Sequence, residues 1–76
     1  MREIIENFLN GERESIPLQV HPIQTYSEIL KSFGYEHYDS EQNGWQVDFW
    51  ENFSKGDKSI TLSGSLWYGQ YNLTKD

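Results

Sequence analysis

No cysteine occurs among the 76 residues, so the chain has no disulfide to constrain it and no thiolate to hold a metal. A domain this short buries only roughly 60% of the surface its unfolded form exposes. Its core must come from apolar and aromatic side chains alone, with self-association to a homodimer as a further aid. Cations are scarce as well: six Lys and Arg stand against twelve Asp and Glu, a formal net charge of −6. Without a basic stripe nothing neutralises phosphates, which argues against direct binding of DNA or RNA. Long apolar runs are missing. No stretch reaches membrane-spanning length, and the N-terminal residues show neither a signal-type apolar region nor a small-residue cleavage site, so the expected location is the cytoplasm. Catalytic equipment is missing too. No phosphate-cradling glycine motif is present, and the glycine spacing around Ser63 and Ser65 is not that of a nucleophile elbow. Neither enzyme activity nor a cofactor is expected.

What the chain does have is aromatic side chains: three Trp, five Tyr and four Phe. Each hides about 150–250 Å² when buried, so a few of them close a small interior. Between Ser32 and Ser54 seven aromatics (Phe33, Tyr35, Tyr38, Trp45, Phe49, Trp50, Phe53) accompany five carboxylates (Glu36, Asp39, Glu41, Asp48, Glu51), with no Lys or Arg. Charge of one sign beside large flat rings produces a field and sticky anchors that suit a cationic partner.

The periodicity predicts a single α+β domain over residues 1–76, with two short helices packed on a three- or four-stranded antiparallel sheet. Ile4, Ile5, Phe8 and Leu9 form one helical stripe, ended by a left-handed cap at Asn10-Gly11. Ile16, Leu18 and Val20 alternate as in a half-buried strand, which Pro17 demotes to an edge strand or an extended connector. Thr25-Tyr26-Ser27-Glu28 has the form of a capping box and starts a helix at Tyr26, with Ile29, Leu30 and Phe33 on its apolar stripe and Gly34 at its end. From Trp45 the period becomes two: Trp45, Val47, Phe49 and Phe53 share one face, while Gln46, Asp48, Trp50 and Asn52 share the other. Ser54-Lys55-Gly56-Asp57 reads as a hairpin turn, Ile60, Leu62, Leu66 and Tyr68 as the returning strand, and Gln70 to Thr74 as a further strand after a bulge or turn near Trp67–Gly69.

His37, Asp39 and Glu41, spaced i, i+2 and i+4, would all point one way on a strand and approach a metal ion. A lone imidazole with two carboxylates is an incomplete site, and no metal is expected. The residues expected to bind a partner are Glu36, Asp39, Glu41, Asp48 and Glu51, with Trp50, Trp67 and Tyr71 as contact anchors. The carboxylates stand in for phosphates and steer association, while the rings hold the complex. The leading reading is therefore an acidic inhibitor that occupies the basic surface of a nucleic-acid-binding protein or nuclease. In size, acidity and lack of catalytic residues the chain is similar to the small inhibitors that phages and mobile elements deploy against CRISPR or restriction nucleases, a likeness of composition carried by no motif. A second reading is an antitoxin or immunity-type partner, or a subunit, docking through an aromatic sheet face or an edge strand, with the acids as a soluble rim. A third is a small-molecule or carbohydrate binder using exposed aromatics as a platform.

Overall fold

The computed structural model describes residues 2–43, 48–65 and 69–76. The first helix, α1 (Arg2–Asn10), buries Ile5 and Phe8 and leaves Ile4 exposed. It ends without a left-handed turn: Gly11 is not among the glycines at positive φ, and its N–H donates back to the Phe8 carbonyl at 3.3 Å. Helix α2 (Ile23–Ser32) starts three residues before the expected first residue, Tyr26, with Pro22 as its N-cap and no side-chain cap. The Thr25 N–H bonds the Pro22 carbonyl at 2.9 Å. The earlier start lets Ile23 join Tyr26 and Leu30 on the stripe that packs into the core, so burial rather than capping sets the boundary. The C-terminal end agrees with the sequence reading. Gly34 adopts φ 93°, its N–H bonds the Lys31 carbonyl, and the Tyr35 N–H bonds the Leu30 carbonyl, the paired closure that a residue free to turn left-handed permits.

Five strands follow one antiparallel plan: β1 (Ser15–Leu18), β2 (Glu36–Asn43), β3 (Asp48–Lys55), β4 (Lys58–Ser65) and β5 (Gln70–Lys75), in the spatial order β1-β5-β4-β3-β2. Strands β2 to β5 form a meander, with Gly56 and Asp57 as the two-residue turn between β3 and β4. Strand β1 adds to the free side of β5, pairing Pro17 with Asn72, so of the edge strand and the extended connector expected here the segment forms the edge strand. The sheet thus has five strands, not three or four. The strand unforeseen in the count is β2, whose Glu36–Gln42 stretch is exposed throughout, so no alternation of apolar side chains announces it. The expected strand start at Trp45 and Val47, and Leu66, Trp67 and Tyr68, lie outside the described residues. Among the described residues no helix is long and apolar enough to cross a membrane.

Both helices cover the same face of the sheet. Phe49 and Phe53 of β3, Ile60 and Leu62 of β4, Tyr71 and Leu73 of β5 and Ile16 of β1 meet Ile5, Phe8, Tyr26, Leu30 and Tyr35 in one buried cluster. Strands β1 and β2 are opposite edges, four steps or about 19 Å apart, and the segment from Leu18 through α2 carries the chain between them.

Two core tyrosines give the fold an alkaline limit. Burial raises the Tyr26 hydroxyl above its ordinary value of 10.0, with the Tyr71 phenol adding to the effect, and burial does the same for Tyr35. The Tyr26 hydroxyl also donates to the Gln19 carbonyl. Above pH ~10 the unfolded chain loses tyrosine protons before the folded one does, so the folded state then binds more protons and stability falls as pH rises. The stabilisation from keeping these phenols neutral is complete below that value. Urea denaturation midpoints should hold steady with respect to these groups through pH ~9 and drop beyond ~10, with a shallower drop in Tyr26→Phe. An equal slope in that variant would rule out Tyr26 as a source.

Candidate protein-binding face

Strand alternation divides the sheet chemically. Toward the helices β3 sends Phe49, Glu51 and Phe53, β4 sends Ile60, Leu62 and Gly64, and β5 sends Tyr71 and Leu73. Away from them β3 sends Asp48, Trp50, Asn52 and Ser54, and β4 sends Ser59, Thr61, Ser63 and Ser65. No side chain described on this second face is buried.

Short polar side chains tie that face together across the strands. Thr61 Oγ1 lies 2.7 Å from both Asn52 Oδ1 and Asp76 Oδ2, and with one proton it donates to one of them at a time. Ser59 donates to the same Asp76 oxygen at 3.2 Å, Tyr38 Oη lies 3.4 Å from Ser59 Oγ, and Asn52 Nδ2 reaches Asp39 Oδ2 at 3.5 Å. Ser15 and Thr74 meet at 3.3 Å near the opposite edge.

The carboxylates gather at the β2–β3 side of this face. Strand β2 carries a bulge between His37 and Asp39, so Tyr38 has no partner on β3. A bulge moves the following residues to the other face. His37, opposite Phe53, points to the helices, while Asp39, opposite Asn52, and Glu41, opposite Trp50, point away. Glu36, opposite Ser54, points away as well. The bulge therefore breaks up the His37, Asp39 and Glu41 grouping, and among the described residues no three His, Asp or Glu side chains converge as metal ligands.

Trp50 is the centre of the acidic corner. It is 39% exposed, has Glu41 directly across the ladder, and has Asp48 two residues away on its own strand. Directly opposed side chains on a ladder lie about 4.5–5.5 Å apart at Cβ. An indole face with carboxylates on two sides matches an Arg guanidinium, which stacks on aromatic rings and forms paired hydrogen bonds to carboxylates. Tyr38, 59% exposed, adds a second ring that the sequence reading did not single out, because the bulge that presents it leaves no trace in the residue pattern.

The cations are kept elsewhere. Arg2 stacks on Phe33 at 4.4 Å, Lys55 donates to the Phe33 carbonyl at 2.9 Å, and Lys75 donates to the Gly11 carbonyl at 2.8 Å while lying over Phe8. Lys31 belongs to α2, Lys58 alternates with Ile60 toward the helices, and Arg13 sits in the loop between α1 and β1. Among the described strand residues none turned away from the helices is Lys or Arg.

The expected binding set is therefore only partly brought together. Glu36, Asp39, Glu41, Asp48 and Trp50 share the open face, whereas Glu51 and Tyr71 do not join them. Glu51 alternates with Phe49 and Phe53 and points to the helix side, where its Oε2 lies 2.5 Å from His37 Nε2. The period-two pattern of β3 already carried that signal. The pair lines a cavity of about 260 Å³ with Ile23, Gln24, Ser27 and Phe53, and the His37 ring rests 5.2 Å from that of Phe53. Tyr71 is 2% exposed and packs edge-on against Phe49 at 5.0 Å, so it is a core residue and not a surface anchor. The turn before β5 resets the alternation, and pairing with Gly64 brings Tyr71 over the core. Trp67 lies outside the described residues. In comparisons with protein-family models, curated proteins and solved structures, the chain matches none of them.

Proposed function

We propose that the chain is a small protein-binding inhibitor whose helix-free acidic face covers the basic nucleic-acid-binding surface of another protein, with carboxylates in the place of phosphates. One observation carries this reading. The outward positions of the described strands hold four carboxylates, Glu36, Asp39, Glu41 and Asp48, around exposed Trp50 and Tyr38, and no Lys or Arg. One-signed charge on a broad open face speeds encounter with a basic surface and repels acidic competitors. Trp50 with Glu41 and Asp48 then offers the anchor that holds an Arg once contact is made. The size and acidity of the chain support an inhibitor of the kind mobile elements direct against CRISPR or restriction nucleases. Docking as an immunity-type partner through Trp50, Trp67 and Tyr71 is less favoured, since burial of Tyr71 removes one of its three rings.

The test begins with the protein that co-purifies with this chain from its native cells, followed by binding kinetics across a range of salt. The association rate should fall on the order of tenfold or more between low salt and several times physiological ionic strength. The double variant Glu41→Lys with Asp48→Lys should slow association by at least about tenfold at low salt. Both residues face solvent, so its denaturation midpoint should stay close to that of the parent. Unchanged association by the folded double variant, or a partner without any nucleic-acid-binding surface, would overturn the reading.

A further inference from the structure

The two edges of the sheet are built differently. Strand β1 is short, four residues with Pro17 within it, and the chain just before it is engaged by the Lys75 N–H, which donates to the Glu14 carbonyl at 2.8 Å. Shortness and proline are the usual means of closing an edge to further pairing. Strand β2 has neither, and the bulge and carboxylates that it carries instead leave the regular stretch after the bulge open to a cationic strand. It runs for eight residues, its side chains from Glu36 to Gln42 are exposed, and among the described residues no backbone hydrogen bond of this stretch arises outside its ladder with β3. After the bulge, Asp39–Asn43 forms five consecutive regular pairs with β3, and among the described residues nothing pairs with the opposite side of this stretch.

We infer that the β2 edge, together with the neighbouring flank of α2, accepts an extended segment of the partner as a sixth strand, and that this segment alternates cationic and apolar residues. The inference rests on the inhibitor reading and names the form in which its partner is held. Two observations fix the chemistry of the occupant. Residues of an added strand on the open face of the sheet lie beside Glu36, Asp39 and Glu41, whose charge selects Lys or Arg. The same three acids disfavour a second copy of this chain, because pairing β2 with itself sets carboxylate against carboxylate between two molecules that each carry −6. Residues of the added strand on the helix face meet two depressions along the α2–β2 seam. One, about 520 Å³, is lined by Lys31, Gly34, Tyr35, Glu36 and His37; in the other, about 260 Å³, Ile23 and Phe53 offer apolar surface beside Gln24, Ser27, His37 and Glu51. An exposed edge supplies main-chain hydrogen bonds, and pockets beside it read alternate side chains, which is the arrangement that strand-adding peptide sites use.

The test uses three capped peptides of alternating Lys and Val, matched in length to the eight residues of β2. One is unmodified, one is N-methylated at every Val and one at every Lys. All three have the same charge. On a paired strand only alternate N–H groups face the neighbour, so one methylated peptide should bind with the affinity of the parent and the other roughly tenfold or more weakly, since several hydrogen bonds are lost together. Binding of the parent peptide should also shift the amide signals of residues 36–43 in nuclear magnetic resonance spectra. If all three bind alike, and Glu41→Lys weakens all three alike, the acidic face attracts cations while the edge takes no strand. That outcome overturns this inference and leaves the inhibitor reading standing. Failure of all three to bind also overturns it, and the salt dependence of the native partner's association then decides separately whether the inhibitor reading holds.

Discussion

Replacing Phe53 by Ala should lower the stability of the fold by about 3–5 kcal/mol, and on a chain of 76 residues that is close to the difference between folded and unfolded. Domains of this size hold only ~4–11 kcal/mol in total. Phe53 is 1% exposed and stands between His37 on β2 and Ile60 on β4. Its ring therefore fills the space where the meander, α2 and the His37–Glu51 pair come together. Removing it takes away the transfer energy of the ring and leaves a void beside the 260 Å³ cavity already bordered by Phe53. The neighbours on β2 and β4 are held by backbone pairing and cannot collapse into that space. The control is Trp50→Ala, on the same strand but on the opposite face of the sheet from Phe53. It deletes a larger ring that is 39% exposed and faces away from the helices, and should cost no more than about 1 kcal/mol, the scale of a cross-strand contact. Urea denaturation followed by circular dichroism reads both. Equal losses would mean that β3 does not present its two faces as described.

The contrast between those two residues also shows what could be read from the residues alone. Ile5 with Phe8, and Tyr26 with Leu30, recur at helical spacing and pack as that spacing predicts. Gly34 and the Gly56-Asp57 turn lie where their conformational freedom is needed. The alternation of Asp48, Phe49, Trp50 and Phe53 put Trp50 and Asp48 on the open face correctly. Strand β2 was hidden, because a strand whose described side chains, Glu36 to Gln42, are all exposed leaves no period to detect, and its bulge at Tyr38 was hidden for the same reason. That bulge decides which of His37, Asp39 and Glu41 can act together, so the geometry of the acidic corner was out of reach even though its composition was in plain view. The error over Tyr71 has a different origin. A strand's phase is set anew after each turn by its pairing register, and the register opposite Gly64 is a tertiary fact.

Gly64→Ala is the sharpest probe of that register, with an expected loss of about 1–3 kcal/mol. Gly64 does not sit at a positive φ, so the residue is needed there for space. A Cβ at this position would lie 2.5 Å from Cδ1 of Tyr71, 2.9 Å from the Gln70 carbonyl oxygen and 3.1 Å from Cε1 of Phe49. The first and third atoms belong to the edge-on pair of rings that closes over the glycine, filling the volume its missing side chain leaves in the core. The rings have neighbours on every side, and the carbonyl belongs to β5, so relief requires β4 and β5 to move apart or Tyr71 to leave its place. A companion substitution separates these two responses. If the Tyr71 ring is the chief obstacle, Tyr71→Leu should be costly alone yet less so beside Gly64→Ala, giving a coupling on the order of 0.5–3 kcal/mol in a double-mutant cycle. If the Gln70 carbonyl dominates, the two losses add. A Gly64→Ala protein as stable as the parent would contradict the pairing of Gly64 with Tyr71 itself. The acidic corner lies on the other side of the sheet, so the proposed inhibitor function predicts that the folded Gly64→Ala protein binds its partner at the parent's association rate, and a slower rate would tie the proposed recognition to the core face instead.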